Sequence, residues 1–184
     1  MLAAIDFTTI DVWTKGGLVT FYLLFTMDLK SRRVHFAGCT PNPDEIWMKQ
    51  IAREVSAFDG FLADNKYLIM DRDTKFCSSF RETLAAADIT CLQLPKRSPN
   101  LNGYMERFMR SIKEECLRKL IFFGEGSLRN AVSEYLTHYQ GERNHQGLGN
   151  RLIEPSDEVK QAGGELQSRE RLGGMLRYYY RDAA

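Results

Sequence analysis

Three carboxylates lie far apart in the chain, at positions where a fold could use them together. Asp6 falls within a run rich in β-branched residues, Leu2 to Val12, and Asp71 closes the short apolar segment Lys66 to Met70. Glu106 sits one turn into a helix-like segment that begins near Asn102. Carboxylates are hard oxygen donors of the kind that hold Mg²⁺ or Mn²⁺, which needs only a few of them plus substrate phosphate. Two such ions about 3.5–4 Å apart can activate an attacking oxygen and stabilise a leaving one. Each acid alone has a plainer reading. Glu106, for instance, is equally a surface glutamate paired with Arg110 at i+4, worth only a few tenths of a kcal/mol.

Cations surround the third acid. From Lys96 to Lys119 there are seven Lys or Arg residues against three Glu. In a regular helix Arg110 and Lys113 share the face of Glu106, at i+4 and i+7. Met105, Phe108, Met109, Ile112, Cys116 and Leu120 form the opposite, apolar face. An acid among cations that suit phosphate makes sense if a divalent ion lies between it and the phosphate. The loop Pro95-Lys96-Arg97-Ser98-Pro99 precedes this helix, and Lys96 and Arg97 are candidates for salt-dependent backbone contacts that read no sequence. Two further acids are decoys. Asp11 is five residues from Asp6 and points to the other face of a regular strand. Asp73 lies in the loop-like Arg72-Asp73-Thr74 and ranks behind Asp71.

The elements that must position these residues follow from the apolar patterning. Leu2–Val12, Leu18–Met27 and Arg33–Cys39 read as three strands joined by the turn signals Thr14-Lys15-Gly16-Gly17 and Asp28-Leu29-Lys30-Ser31-Arg32. Helical spacing of Ile46, Trp47, Ile51, Val55 and Phe58 predicts a helix after Pro43, capped by Asn42 or Asp44. Strands at Lys66–Met70 and Ile89–Leu94 alternate with helices at Ser78–Ala87 and Asn102–Leu120, and a last helix spans Ser127–Tyr139 with Ser127 as its cap. The order βββαβαβαα predicts an α/β fold, a mixed five-stranded sheet flanked by helices. With the first strand central, the three acids can converge at one edge of that sheet. The expected domain spans residues 1–155. Residues 156–184, with two Gly-Gly pairs and weak periodicity, read as an extension packed loosely or on a partner.

Composition bounds the rest. The 184 residues are 43% hydrophobic and 27% charged, the balance of a water-soluble globular chain, and the net charge of +1 alone says nothing about nucleic acid. The start carries acids where a signal peptide would be basic, and the apolar run Leu18–Phe25 is too short to span a bilayer, so an intracellular protein is expected. Four cysteines without CxxC spacing and three scattered histidines argue against zinc or a disulfide framework and for free thiols. Arg143-Asn144-His145-Gln146-Gly147 reads as a structural loop rather than a DNA contact. Arg177-Tyr178-Tyr179-Tyr180-Arg181 suits base stacking or subunit packing equally.

The blocks AIDFTTIDVW, LIMDRDTKF and SPNLNGYMERFMRSIKEECL, in that order, resemble the three signature blocks of the DDE integrase/transposase catalytic core, shared by retroviral integrases and bacterial insertion-sequence transposases. Thirty-four residues separate Asp71 from Glu106, close to the family's spacing. HYQGERNHQGLGNRLIEP resembles the segment that follows the core in bacterial members. The resemblance implies a ribonuclease-H-like fold and Asp6, Asp71 and Glu106 as catalytic ligands of Mg²⁺ or Mn²⁺, two ions in all. It also implies DNA cleavage followed by strand transfer, with element ends and target DNA as partners, a homo-oligomer, a DNA-associated bacterial setting and no membrane. Arg110 and Lys113 stand where such enzymes place DNA-contacting side chains. The sequence departs from the pattern in Asn-Leu-Asn-Gly ahead of Glu106, and it starts almost at the first strand, without the helix-turn-helix or zinc module of relatives. That start predicts an excised core, a truncated reading frame or a product dependent on another polypeptide. Two alternatives stand beside strand transfer: a ribonuclease-H-like nuclease that cleaves without joining, and a non-catalytic DNA-binding or regulatory fragment.

Overall fold

A computed structural model describes residues 1–95, 102–155 and 165–181. The first three strands form a meander. β1 (Leu2–Thr14) pairs antiparallel with β2 (Gly17–Asp28) along its whole length, and β2 pairs with β3 (Val34–Thr40) across a register shift at Leu24/Phe25. Gly17, at φ 107°, closes the first turn in a conformation that favours glycine. After helix α1 (Glu45–Val55) come β4 (Tyr67–Met70), helix α2 (Ser78–Ala85), β5 (Thr90–Gln93) and helix α3 (Gly103–Glu115). β4 and β5 run parallel to β1, so the five-stranded sheet has the order β3-β2-β1-β4-β5 with β1 central. This is the mixed five-stranded sheet that the sequence order predicts.

Alternation along β1 assigns its two faces. Ala3 and Ile5 belong to a core with Leu24, Leu68 and Met70 of the sheet, Met48, Ile51, Ala52 and Val55 of α1, and Phe80 and Leu84 of α2. The other face carries Asp6, directly opposite Phe25 on β2, and the Phe25 ring meets Phe108 of α3 edge-on at 5.2 Å. Cross-strand partners share a face, so Asp6 looks toward α3. Met105, Phe108, Met109 and Ile112 are the buried stripe of α3, as the spacing predicts. The Asp44 carboxylate caps α1 by accepting from the Trp47 N–H at 2.8 Å. Ile46 and Phe58, expected on the buried face of that helix, are exposed instead: Ile46 lies off the stripe through Met48, Ile51 and Val55, and Phe58 lies beyond the helix end. α3 is shorter than its pattern, and a 3₁₀ turn, Leu117–Lys119, follows it.

The chain divides into two compact units, Met1–Glu125 and Gly126–Ala184. The last helix, α4 (Gly124–Gly141), starts three residues before Ser127, so that serine does not cap it. In the second unit residues 166–181, within the extension expected to pack loosely or on a partner, form a hairpin of β6 (Leu166–Arg171) and β7 (Leu176–Arg181). Arg171 of β6 holds the hairpin to α4: its Nε donates to Glu142 Oε2 at 2.9 Å and its Nη2 to Oε1 at 2.7 Å. His138 Nδ1 lies 3.1 Å from the same carboxylate, and Arg171 Nη1 reaches Glu134 at 3.3 Å. Arg169 contributes a looser pair to Glu142 at 3.5 Å and stacks over Tyr180. None of the four cysteines is in a disulfide; Cys39 and Cys116 are buried and Cys77 and Cys91 half-buried. Among the described residues no helix is long and apolar enough to cross a membrane.

Candidate active site

β4 meets β1 over three residues only, with Ala4 opposite Ile69 as the last pair. Continuing that parallel register by two residues sets Asp71, the first residue past β4, abreast of Asp6. Both acids therefore stand where β4 ends beside the central strand, the crevice at carboxyl ends of strands where open α/β sheets bind ligands. Alternation agrees: Leu68 and Met70 point into the core shared with α1 and α2, which leaves the next residue on the face of Asp6.

α3 brings the third acid. A cavity of about 350 Å³ is lined by Asp6, Phe7, Glu106, Met109, Arg110, Lys113, Glu114 and Arg118. Glu106, Arg110 and Lys113 thus share one helix face over Asp6, as their spacing predicts. Arg118, on the 3₁₀ turn, joins them and was not singled out by spacing, because the turn breaks the helical period. Neither Arg110, Lys113 nor Arg118 makes a salt bridge with another described residue. Lys96 and Arg97 lie outside the described residues.

The electrostatics tie the three acids together. Burial pushes the Asp6 carboxyl up to about 6. The Phe7 backbone N–H, donating to Asp6 Oδ1 at 2.8 Å, and the charge of Lys113 pull it down, while the charges of Asp71 and Glu106 push it up. Asp6 therefore feels both other acids. Among the described residues no three Asp, Glu, His or Cys side chains are grouped within reach of one ion. The three acids still fit a hard divalent cation in kind: their donors are all carboxylate oxygen, and the smaller part of the Asp6 shift, the repulsion from Asp71 and Glu106, is what a cation would relieve.

The loop after β4 shapes Asp71. The Asp73 N–H donates to Asp71 Oδ1 at 2.9 Å. Asp73 in turn accepts from the Lys75 N–H at 2.9 Å and from Lys75 Nζ at 2.7 Å. Burial acts to raise the Asp73 carboxyl, but these Lys75 contacts outweigh it and hold the group below the usual range. Asp11 is exposed and accepts from Thr20 Oγ1 at 2.6 Å, away from the site as its strand position predicts. In the second unit His145 Nε2 lies 2.7 Å from the Tyr139 carbonyl and its ring meets Tyr139 edge-on at 4.7 Å, so that histidine serves the structure of its loop.

Comparison with known proteins bears on the fold. Residues 87–152 match the family model described as integrase core domain. Among solved structures the chain is similar to the HTLV-2 integrase catalytic core domain in complex with magnesium, a trimeric form (TM-score 0.60, 16% identity, 83% of this chain and 92% of that one). It is also similar to the catalytic core domain of BIV integrase (TM-score 0.51, 15% identity, 83% of this chain and 90% of that one). No curated protein sequence matches significantly. The sheet order and these likenesses give the chain the ribonuclease-H-like fold of integrase catalytic cores, and residues 87–152 match the integrase core domain model.

Proposed function

We propose that the chain is a DDE-type polynucleotidyl transferase core that cleaves DNA and joins a 3′-hydroxyl to target DNA, with Asp6, Asp71 and Glu106 as its catalytic acids. The observation that carries the reading is the meeting of Asp6 with Glu106, Arg110 and Lys113 around one cavity, beside Asp71 in parallel register. The three carboxylates would hold Mg²⁺ or Mn²⁺, two ions in the full complement, which supply charge stabilisation and an activated oxygen when bound. Support for a divalent cation comes from the all-oxygen donor set and from the magnesium in the HTLV-2 relative's structure.

The chain's own part is positioning. Asp6 is fixed by its strand, with its carboxylate held by the neighbouring N–H. Arg110 and Lys113 line the same cavity, roughly 6 Å and 10 Å along the helix from Glu106 and both on its C-terminal side, and in this reading they grip phosphate oxygens beside the reacting bond. Such contacts orient the backbone in line for displacement and carry no base readout. The chain acts on DNA as a homo-oligomer in this reading, and residues 1–155 form the catalytic part.

The test is cleavage and joining of short double-stranded DNA ends in Mg²⁺ or Mn²⁺. Joined product supports strand transfer. Cleavage alone moves the assignment to a nuclease, and binding without either reaction moves it to a non-catalytic fragment. Asp71→Asn is expected to lower the rate about a hundred- to a thousandfold while leaving the fold intact. Unchanged activity in that variant rejects the three acids as the site.

A further inference from the structure

We propose that Lys75 is a positioning residue that sets the Asp71 carboxylate relative to Asp6 and so tunes cation affinity. The inference rests on the carboxylate reading above and concerns residues that the reading does not use. Lys75 is a hub that reaches in two directions. Toward Asp71, its side chain and its own N–H both hold the Asp73 carboxylate, and the Asp73 N–H holds Asp71 Oδ1. Toward Asp6, Lys75 Nζ lies 5.5 Å from the ring centroid of Phe7, the residue whose N–H binds Asp6 Oδ1. It also lies 5.0 Å from the ring of Tyr22 on β2.

The rings around it are themselves fixed. Phe7 meets Tyr22 edge-on at 6.4 Å and packs on Phe76 at 5.4 Å, and Phe76 is buried just beyond the loop. A cation over two aromatic faces is held by their quadrupoles. The loop from Asp71 to Lys75 is therefore pinned at its far end to the strand pair that carries Asp6. Without that pin the Asp71 carboxylate depends on a single hydrogen bond from an exposed loop.

Charge explains why a lysine can serve here. A free ammonium beside the acids would neutralise them and compete with a divalent cation. The Lys75 charge is matched by Asp73 at 2.7 Å instead, so the pair acts on Asp71 through geometry alone. Groups that orient metal ligands commonly shift affinity by about 10–100-fold when removed.

The experiment titrates Mn²⁺ alone into the metal-free full chain and reads free Mn²⁺ by electron paramagnetic resonance. Lys75→Met is expected to weaken Mn²⁺ binding about tenfold, while Lys75→Arg, which keeps the cation over the rings, stays within about twofold of the parent. The melting temperature is expected to move by no more than about 3 °C in either variant. Asp73→Asn removes the same link from the other side and replaces Lys75→Met should that variant fail to fold. Asp71→Asn is the control. If Asp71→Asn loses Mn²⁺ and Lys75→Met does not, the positioning role is wrong and the carboxylate reading survives. If Lys75→Met weakens binding and Lys75→Arg fails to restore it, the cation–ring pin is wrong. If Asp71→Asn binds Mn²⁺ as the parent does, the carboxylate reading falls and this inference with it.

Discussion

Asp6 shows how one side chain of the proposed site weakens the fold that holds it. Its folded-state carboxyl titrates near 6 against 3.8 for an unhindered aspartate, chiefly because it is buried. Between those values the folded chain holds a proton that the unfolded chain releases, so stability falls as pH rises through that window and the loss is complete above it. Asp6→Asn removes the titration. In thermal melts without divalent metal, Asp6→Asn should raise the melting temperature at pH 7.5 and leave it nearly unchanged at pH 3.5. Equal gains at both pH values would show that the carboxylate charge is not the cause. The three acids were legible in the sequence as candidates because residue type alone restricts their chemistry. The sequence placed them at one edge of the sheet only as a possibility, since the register that sets Asp71 beside Asp6 belongs to a parallel pairing between residues more than sixty apart in the chain. The Lys75 interactions were hidden for the same reason: a cation over Phe7 and Tyr22 leaves no trace in local spacing.

Among the elements, those with strong periodicity or punctuation could be read directly. β1 to β3 carry β-branched and aromatic runs broken by turn residues, and the buried stripe of α3 repeats at helical spacing. The hairpin of β6 and β7 had no such signal. LQSRER and LRYYYR lack an apolar alternation, because the inner face of β6 buries arginine against Glu142 rather than an aliphatic side chain. Burial acts to raise the Glu142 carboxyl, yet the hydrogen bonds from Arg171 and His138 outweigh it and hold it below the usual glutamate range. A depressed carboxyl stabilises the fold above its unfolded pKa, and that contribution is lost as pH falls through the folded value. Glu142→Gln leaves Arg171 with Glu134 as its one charged partner among the described residues and is expected to cost about 2–3 kcal/mol at pH 7 in urea unfolding, with the difference from the parent shrinking in acid. A cost that stays constant down to pH 3 would assign the effect to packing instead.

For the molecule as a whole, the net charge of +1 supplies no long-range pull on DNA. Under the proposed function attraction comes from local cations, and among the described residues Arg110, Lys113 and Arg118 line the cavity. Each cation that neutralises a phosphate adds roughly one unit to the slope of log K against log salt, so deleting it takes that unit away. Arg110→Ala with Lys113→Ala should therefore reduce the slope for duplex binding by about two, across unrelated sequences, in a fluorescence anisotropy salt series. A weakening confined to one sequence would mean that these residues read bases.

The unequal footing of the two aspartates has its own consequence. Asp6 sits inside a strand zipped to its neighbour for its whole length, whereas Asp71 stands one residue past a strand of four. Under the proposed function, a cation held between them meets one wall paired along a long strand and one carried by a loop. Fit at the crevice is thus adjusted from a single side, and substitutions in the short stretch after Met70 can retune it without disturbing the scaffold.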